Sequence, residues 1–144
     1  MSSLPSWLFW ALGSALFASL TAILGKLGVR GLDPDFATLI RSFVIIACLS
    51  LFVAITGKWS DPRQLPGKTI LFLVFSGIAT GLSWACYFRA LKAGEASKVA
   101  PVDKLSLVLV CVFAVIFLGE RPSLKDWTGI GLVAAGVLLL ALKR

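Results

Sequence analysis

Residues 99–142 read VAPVDKLSLVLVCVFAVIFLGERPSLKDWTGIGLVAAGVLLLAL, two apolar runs parted by the polar segment Gly119–Asp126. Each run holds about 20 residues or slightly fewer, enough helix at 1.5 Å per residue to cross about 30 Å of hydrocarbon. Neither run alternates apolar with polar residues as a barrel strand must. Lipid cannot satisfy an open backbone, so both runs are read as transmembrane helices. Moving toward the N-terminus, the same reading repeats at about Thr69–Phe88, Phe36–Ile55 and Trp7–Gly25. The fold class that follows is an all-α integral membrane protein, a five-helix transmembrane bundle. Residues 1–144 form one domain, with spans at about 7–25, 36–55, 69–88, 99–118 and 127–142.

Composition agrees. The 144 residues are 58% hydrophobic and 15% charged, whereas a soluble domain is about half apolar and a quarter charged. Soluble globular, disordered, collagen-like and disulfide-stapled classes are excluded together. The net charge of +7 would suggest nucleic acid in a soluble protein. Here the bases fall mostly between apolar runs, where they anchor at headgroups and set topology, so no nucleic-acid partner is expected. Trp7, Trp10, Trp59 and Trp127 lie near span ends, where indole prefers the interface; Trp84 does not.

The first run is longer than a cleaved signal core and has no Lys or Arg before it, so it is read as a retained helix. The connections, Lys26–Asp35, Thr56–Lys68, Arg89–Lys98 and Gly119–Asp126, leave no room for an extramembrane domain. Function must therefore reside in or beside the bilayer. Cys48, Cys86 and Cys111 are odd in number, lie inside apolar runs and read as small buried hydrophobes. With no His and no Cys-x-x-Cys, neither a metal nor another cofactor is expected. No Gly-x-Ser-x-Gly elbow, phosphate loop or paired carboxylates inside a span are present, and Ser76, Ser83 and Ser106 have no evident base. An enzyme is not expected.

Topology is nearly balanced. One side of the membrane receives Lys58, Arg63, Lys68, Arg121 and Lys125; the other receives Lys26, Arg30, Arg89, Lys92, Lys98, Lys143 and Arg144. Seven against five mildly favours a cytoplasmic C-terminus. So slight a bias fits either a single orientation or dual topology, in which copies insert both ways.

Charges inside spans cost about 2.5–3.5 kcal/mol each at the centre on the insertion scale, so each needs a reason. Arg41 sits roughly 8 Å into the second span. It either snorkels to the interface or faces a polar cavity. Asp103 and Lys104 follow Pro101 in the fourth span; helix neighbours differ by about 100°, so the two should not share a face. Pro101 removes the donor for the carbonyl of Ser97, giving either a bent entry or a broken helix of the kind that points dipoles at a substrate. Glu95 and Lys98 should be solvated. Gly77, Gly81 and Ala85 form a small-residue stripe suited to helix packing, yet Thr80, Trp84 and Phe88 share nearly the same sector and could wall a cavity. Gly129, Gly131, Ala135 and Gly136 mark the fifth span as an assembly helix.

The stretch Tyr87–Lys143, with Gly119-Glu120-Arg121-Pro122 followed by Trp127 and Gly129, resembles the second half of an EamA-type unit of the drug/metabolite transporter superfamily. Arg41 early in the second span and Tyr87, Ala90 and Leu91 closing the third add to the resemblance, which covers essentially the whole chain. Members are commonly ten-helix carriers built from two five-helix units of opposite orientation. The resemblance therefore implies half of an inverted-repeat transporter, completed by an antiparallel homodimer or by a separate five-helix partner. Smaller four-helix relatives carry a Glu in their first helix; Trp7–Gly25 holds no acid, so that proton-coupled mechanism is not carried over. The sequence Pro101-Val102-Asp103-Lys104 departs from the uncharged residue or Glu found there in many units.

The expected function is transport of a small metabolite, such as an amino acid, across the cell inner (plasma) membrane by alternating access. Expected substrate-binding residues are Arg41 or Lys104 for a carboxylate, Asp103 for an ammonium or a proton, and Trp84 with Tyr87 along the cavity. Alternatives are a subunit of a lipid-linked sugar flippase or a non-transporting accessory membrane protein.

Overall fold

A computed structural model describes residues 5–142. Its helices are α1 (Ser6–Gly28), α2 (Pro34–Ile55), α3 (Gly67–Ala93), α4 (Ala96–Asp103), α5 (Ser106–Phe113) and α6 (Leu124–Ala141). A 3₁₀ turn covers Pro62–Gln64 and a π-helical turn Ala114–Leu118. No strand occurs among the described residues. Five segments are long and apolar enough to cross a membrane: α1, α2, α3, the run Ala96–Leu118, and α6. The protein is an all-helical, multi-pass membrane protein, as its apolar runs predict.

The ends of the helices differ from the apolar windows. Lys26 lies inside α1, Asp35 inside α2, and Arg89 and Lys92 inside α3. The connections shrink accordingly to Val29–Asp33 and Gly94–Glu95. A charge stops an apolar window but not a hydrogen-bond ladder, because a long side chain near a helix end reaches water. The signs also suit the helix dipoles, with Asp35 in a first turn and Lys26 and Lys92 in last turns.

Local chemistry sets the boundaries. The Asp33 carboxylate accepts the backbone N–H groups of Asp35 and Phe36, and Pro34 occupies the first turn, where its missing N–H costs nothing. At the other end of the sequence, Gly119 adopts φ +67, and the Glu120 N–H reaches back to the Ala114 carbonyl. Pro122 follows, and Ser123 with Asp126 forms a reciprocal capping box that starts α6. The Gly119–Pro122 motif thus ends one span immediately before the next is capped. Gly119→Ala should lower stability in detergent by about 1–2 kcal/mol, read as a lower melting temperature, because alanine resists the left-handed conformation.

The fourth span is not one continuous α-helix. Lys104 N–H donates to the Pro101 carbonyl at 2.9 Å, Leu105 N–H to Val102 at 3.0 Å and Leu107 N–H to Lys104 at 3.0 Å, a tightened i→i+3 turn between α4 and α5. The tightening begins at the carbonyl of Pro101 itself.

The chain packs as two compact units that divide at Ala93 and Gly94. In the first, α3 packs against both α1 and α2. Its interior, made of Ala22, Gly25, Val29, Ala37, Thr38, Phe88 and Leu91, sits where α1 finishes, α2 begins and α3 finishes. Farther along the same helices large side chains such as Phe17, Phe52, Phe72 and Phe75 are exposed. Hydrocarbon accepts them as readily as a core does. In the second unit, α4 and α5 pack on α6, with Ala114 and Val137 buried. Cys48 and Cys86 are exposed and Cys111 is half-buried, contrary to the expectation of buried cysteines. An apolar run looks the same whether it faces protein or lipid, so burial could not be read from it. Lys143 and Arg144, counted in the charge balance, lie outside the described residues.

Candidate functional site

Two turns into α2, Arg41 turns inward to the first unit. Its guanidinium carbon lies 4.1 Å from the centroid of the Phe88 ring and 5.5 Å from that of Trp84. Trp84 and Phe88 are four residues apart on α3 and therefore stand on one face. Phe88 is 1% exposed, which makes it a fixed platform. Arg41 Nη1 is buried and has no hydrogen-bond partner. A cation–π contact contributes about 0.5–2 kcal/mol, less than the roughly 2.5–3.5 kcal/mol cost of an arginine at membrane depth. The aromatic platform alone does not offset that cost. A hydrogen-bond acceptor at Nη1 would.

Space for one exists. Arg41 lines a pocket of about 350 Å³ between α1 and α2, walled by Thr21, Leu24, Gly25, Gly28 and Ile40. That volume lies at the small end of ligand sites and suits a small metabolite. Gly25 makes the geometry possible: a Cβ placed there would stand 2.5 Å from Phe88 Cε1. Gly25→Ala should push the ring out of place, cost about 1–3 kcal/mol in detergent melting, and loosen Arg41 from its platform.

The pocket end of the unit is tied by polar contacts. Arg89 pairs with Asp35 at 2.6 Å. Lys26 Nζ donates to the Leu91 carbonyl, one of the last four of α3 that lack an intrahelical donor, at 2.5 Å. Lys92 Nζ donates to the Leu32 carbonyl at 3.0 Å. Together these hold the short α1–α2 connection against the end of α3.

Of the residues singled out from sequence, Arg41 and Trp84 come together. Tyr87 is half-buried and meets Phe88 edge-on, with ring centroids 5.5 Å apart. Asp103 and Lys104 belong to the second unit, where Lys104 Nζ lies 3.4 Å from Asp103 Oδ2 and neither side chain is buried. The expectation that these neighbours would diverge is corrected: the helix ends at Asp103, and the long lysine stem folds back. Lys98 pairs with Glu95 at 2.9 Å, both solvated. A Cβ on Gly77, Gly81, Gly129, Gly131 or Gly136 would meet nothing within 4 Å, so the close approach within the first unit occurs at Gly25 instead. The stripe of Thr80, Trp84 and Phe88 marks Phe88 as a candidate cavity wall, but the contact between Gly25 and Phe88 is not read from the sequence. Their only signals are the small face Thr21, Gly25, Gly28 and the stripe Thr80, Trp84, Phe88.

A protein of Sinorhizobium sp. described as an uncharacterized transporter in the cobO 3′ region is 57% identical over 136 residues, 94% of this chain and 96% of that one. The uncharacterized transporter YxxF of Bacillus subtilis (strain 168) is 28% identical over 139 residues, covering 96% of this chain but only 43% of that protein. The probable 4-amino-4-deoxy-L-arabinose-phosphoundecaprenol flippase subunit ArnE of Yersinia pestis (strain Pestoides F) is 29% identical over 85 residues, 58% of this chain and 74% of that one. No solved structure matches the chain. The EamA-like transporter family profile matches residues 5–142, across all five apolar helices, and the chain belongs to that family.

Proposed function

We propose that the protein carries a small metabolite bearing a carboxylate, such as an amino acid, across the inner membrane, and that Arg41 receives the carboxylate. The observation that supports this most is the buried Nη1 of Arg41, without a partner and on a residue that lines the pocket. A guanidinium fork matches a carboxylate in two parallel hydrogen bonds, and the Phe88 and Trp84 rings hold its plane. Trp84 and Tyr87 supply aromatic wall. In the second unit, the turn at Lys104–Leu105 after Pro101 acts as a hinge, with the Asp103–Lys104 pair beside it breaking and reforming as the span flexes.

In this reading residues 1–144 act as one five-helix half, and a second copy in inverted orientation completes the carrier. Two observations support it. The chain spans less than half the length of the Bacillus relative, as one unit of a two-unit carrier would. Gly77, Gly81, Gly129, Gly131 and Gly136 carry nothing against them, which leaves their faces open for another chain. Alternating access then follows from exchange of roles between the halves.

A second reading, a flippase subunit for a lipid-linked amino sugar, is favoured by the likeness to ArnE over 58% of the chain. Comparing metabolite pools in cells with and without the protein, then counterflow of the compound that changes in proteoliposomes, decides between them. Exchange of a water-soluble carboxylate supports the first reading. Movement of a lipid-linked sugar with no soluble exchange overturns it.

A further inference from the structure

A second pocket of about 260 Å³ lies beside the first, lined by Lys26, Val29, Arg30, Gly31 and Lys92. Val29, 2% exposed, forms part of both walls. Three of the five lining residues are cationic and none is acidic. Of the carboxylates at the start of α2, Asp35 is committed to Arg89 and Asp33 to the first turn of the helix. No ion pair among the described residues involves Arg30. Setting topology requires only that cations lie on one side of the bilayer. It does not require three of them, drawn from α1, from the connection after it and from α3, to converge on one concavity. An anion entering the pocket would be attracted by all three.

Position narrows the chemistry. The pocket sits where α1 and α3 finish their spans, at headgroup level, and on the side that receives the larger share of Lys and Arg. Anionic phospholipid headgroups lie at that level. The carbonyls at the ends of α1 and α3 would repel an anion. The bonds from Lys26 to Leu91 and from Lys92 to Leu32 cover two of the carbonyls exposed there and hold both ammonium groups in place. An ammonium carries three donors, so the bond of Lys92 to a carbonyl is compatible with a second acceptor.

We propose that the pocket formed by Lys26, Arg30 and Lys92 binds a phosphate group at the membrane surface. The group belongs either to an anionic phospholipid or to free phosphate, and the site does not depend on what the protein carries. The test is native mass spectrometry of the full chain in detergent, titrated with phosphatidylglycerol or with phosphatidylcholine, whose phosphate is screened by its own cation. Phosphatidylglycerol should bind in preference. Arg30→Gln and Lys92→Gln should each weaken that binding about fivefold, whereas Lys58→Gln at the opposite membrane face should leave it unchanged. Displacement of the lipid by inorganic phosphate assigns the site to the phosphate group alone; failure to displace it assigns the site to the lipid. Arg30 is exposed and makes no side-chain bond that folding needs, so its variant keeps the test clean. Equal lipid binding by Arg30→Gln and wild type, or an equal loss in Lys58→Gln, would overturn the proposal.

Discussion

Arg41→Ala is expected to lower transport by about ten- to a hundredfold while insertion and folding persist. The loss follows from two charge-assisted hydrogen bonds to a carboxylate, together about 1.5–3 kcal/mol. Persistence of the fold follows from comparing two costs. The variant gives up a cation–π contact of about 0.5–2 kcal/mol and escapes an in-span charge of about 2.5–3.5 kcal/mol. A structural arginine would behave in the opposite way, with melting temperature falling and transport following only in proportion. Arg41→Lys separates charge from shape: the ammonium keeps the charge but loses the planar stack on Phe88 and the bidentate fork. Its affinity for substrate should fall between wild type and alanine. Uptake by Arg41→Lys equal to wild type would argue against the fork.

The second large effect concerns orientation. A five-span chain places its termini on opposite sides, so two copies in one orientation cannot form an inverted pair. The proposed inverted homodimer needs both orientations, and the near balance of seven against five permits them. Three lysines added after Arg144 raise the count to ten against five and should draw that side to the cytoplasm in nearly every copy. Transport by the homodimer should then drop by at least about tenfold, and co-expression with an oppositely biased copy, carrying about six added lysines in the connection at residues 56–66, should restore it.

Much of this was legible in the residues, for reasons that can be named. Transmembrane helices announce themselves because about 20 apolar residues in a row have no cheaper use. Arg41 stood out because a charge at membrane depth is rare and costly. Helix ends were less legible: Lys26 and Lys92 lie inside helices although a charge closes an apolar window, and the carbonyls they bind, of Leu91 and Leu32, are 65 and 60 positions away. The platform under Arg41 was half legible, since Trp84 and Phe88 share a stripe, but nothing local says that the stripe faces α2. Gly25 was hidden for the same reason. In a soluble helix the buried face betrays itself by being apolar; here every face is apolar, so the cysteines looked buried and the contact at Gly25 looked like one more small residue.

The central claim, that an inverted second copy completes this chain, is tested most directly by labelling one connection from outside. With Cys48, Cys86 and Cys111 replaced by alanine, Ser60→Cys puts a single thiol in the exposed α2–α3 connection. A membrane-impermeant maleimide added to intact cells should label about half of the copies, and permeabilised cells should yield the rest. Labelling of all copies or of none in intact cells, with transport retained by the protein expressed alone, would contradict the inverted homodimer.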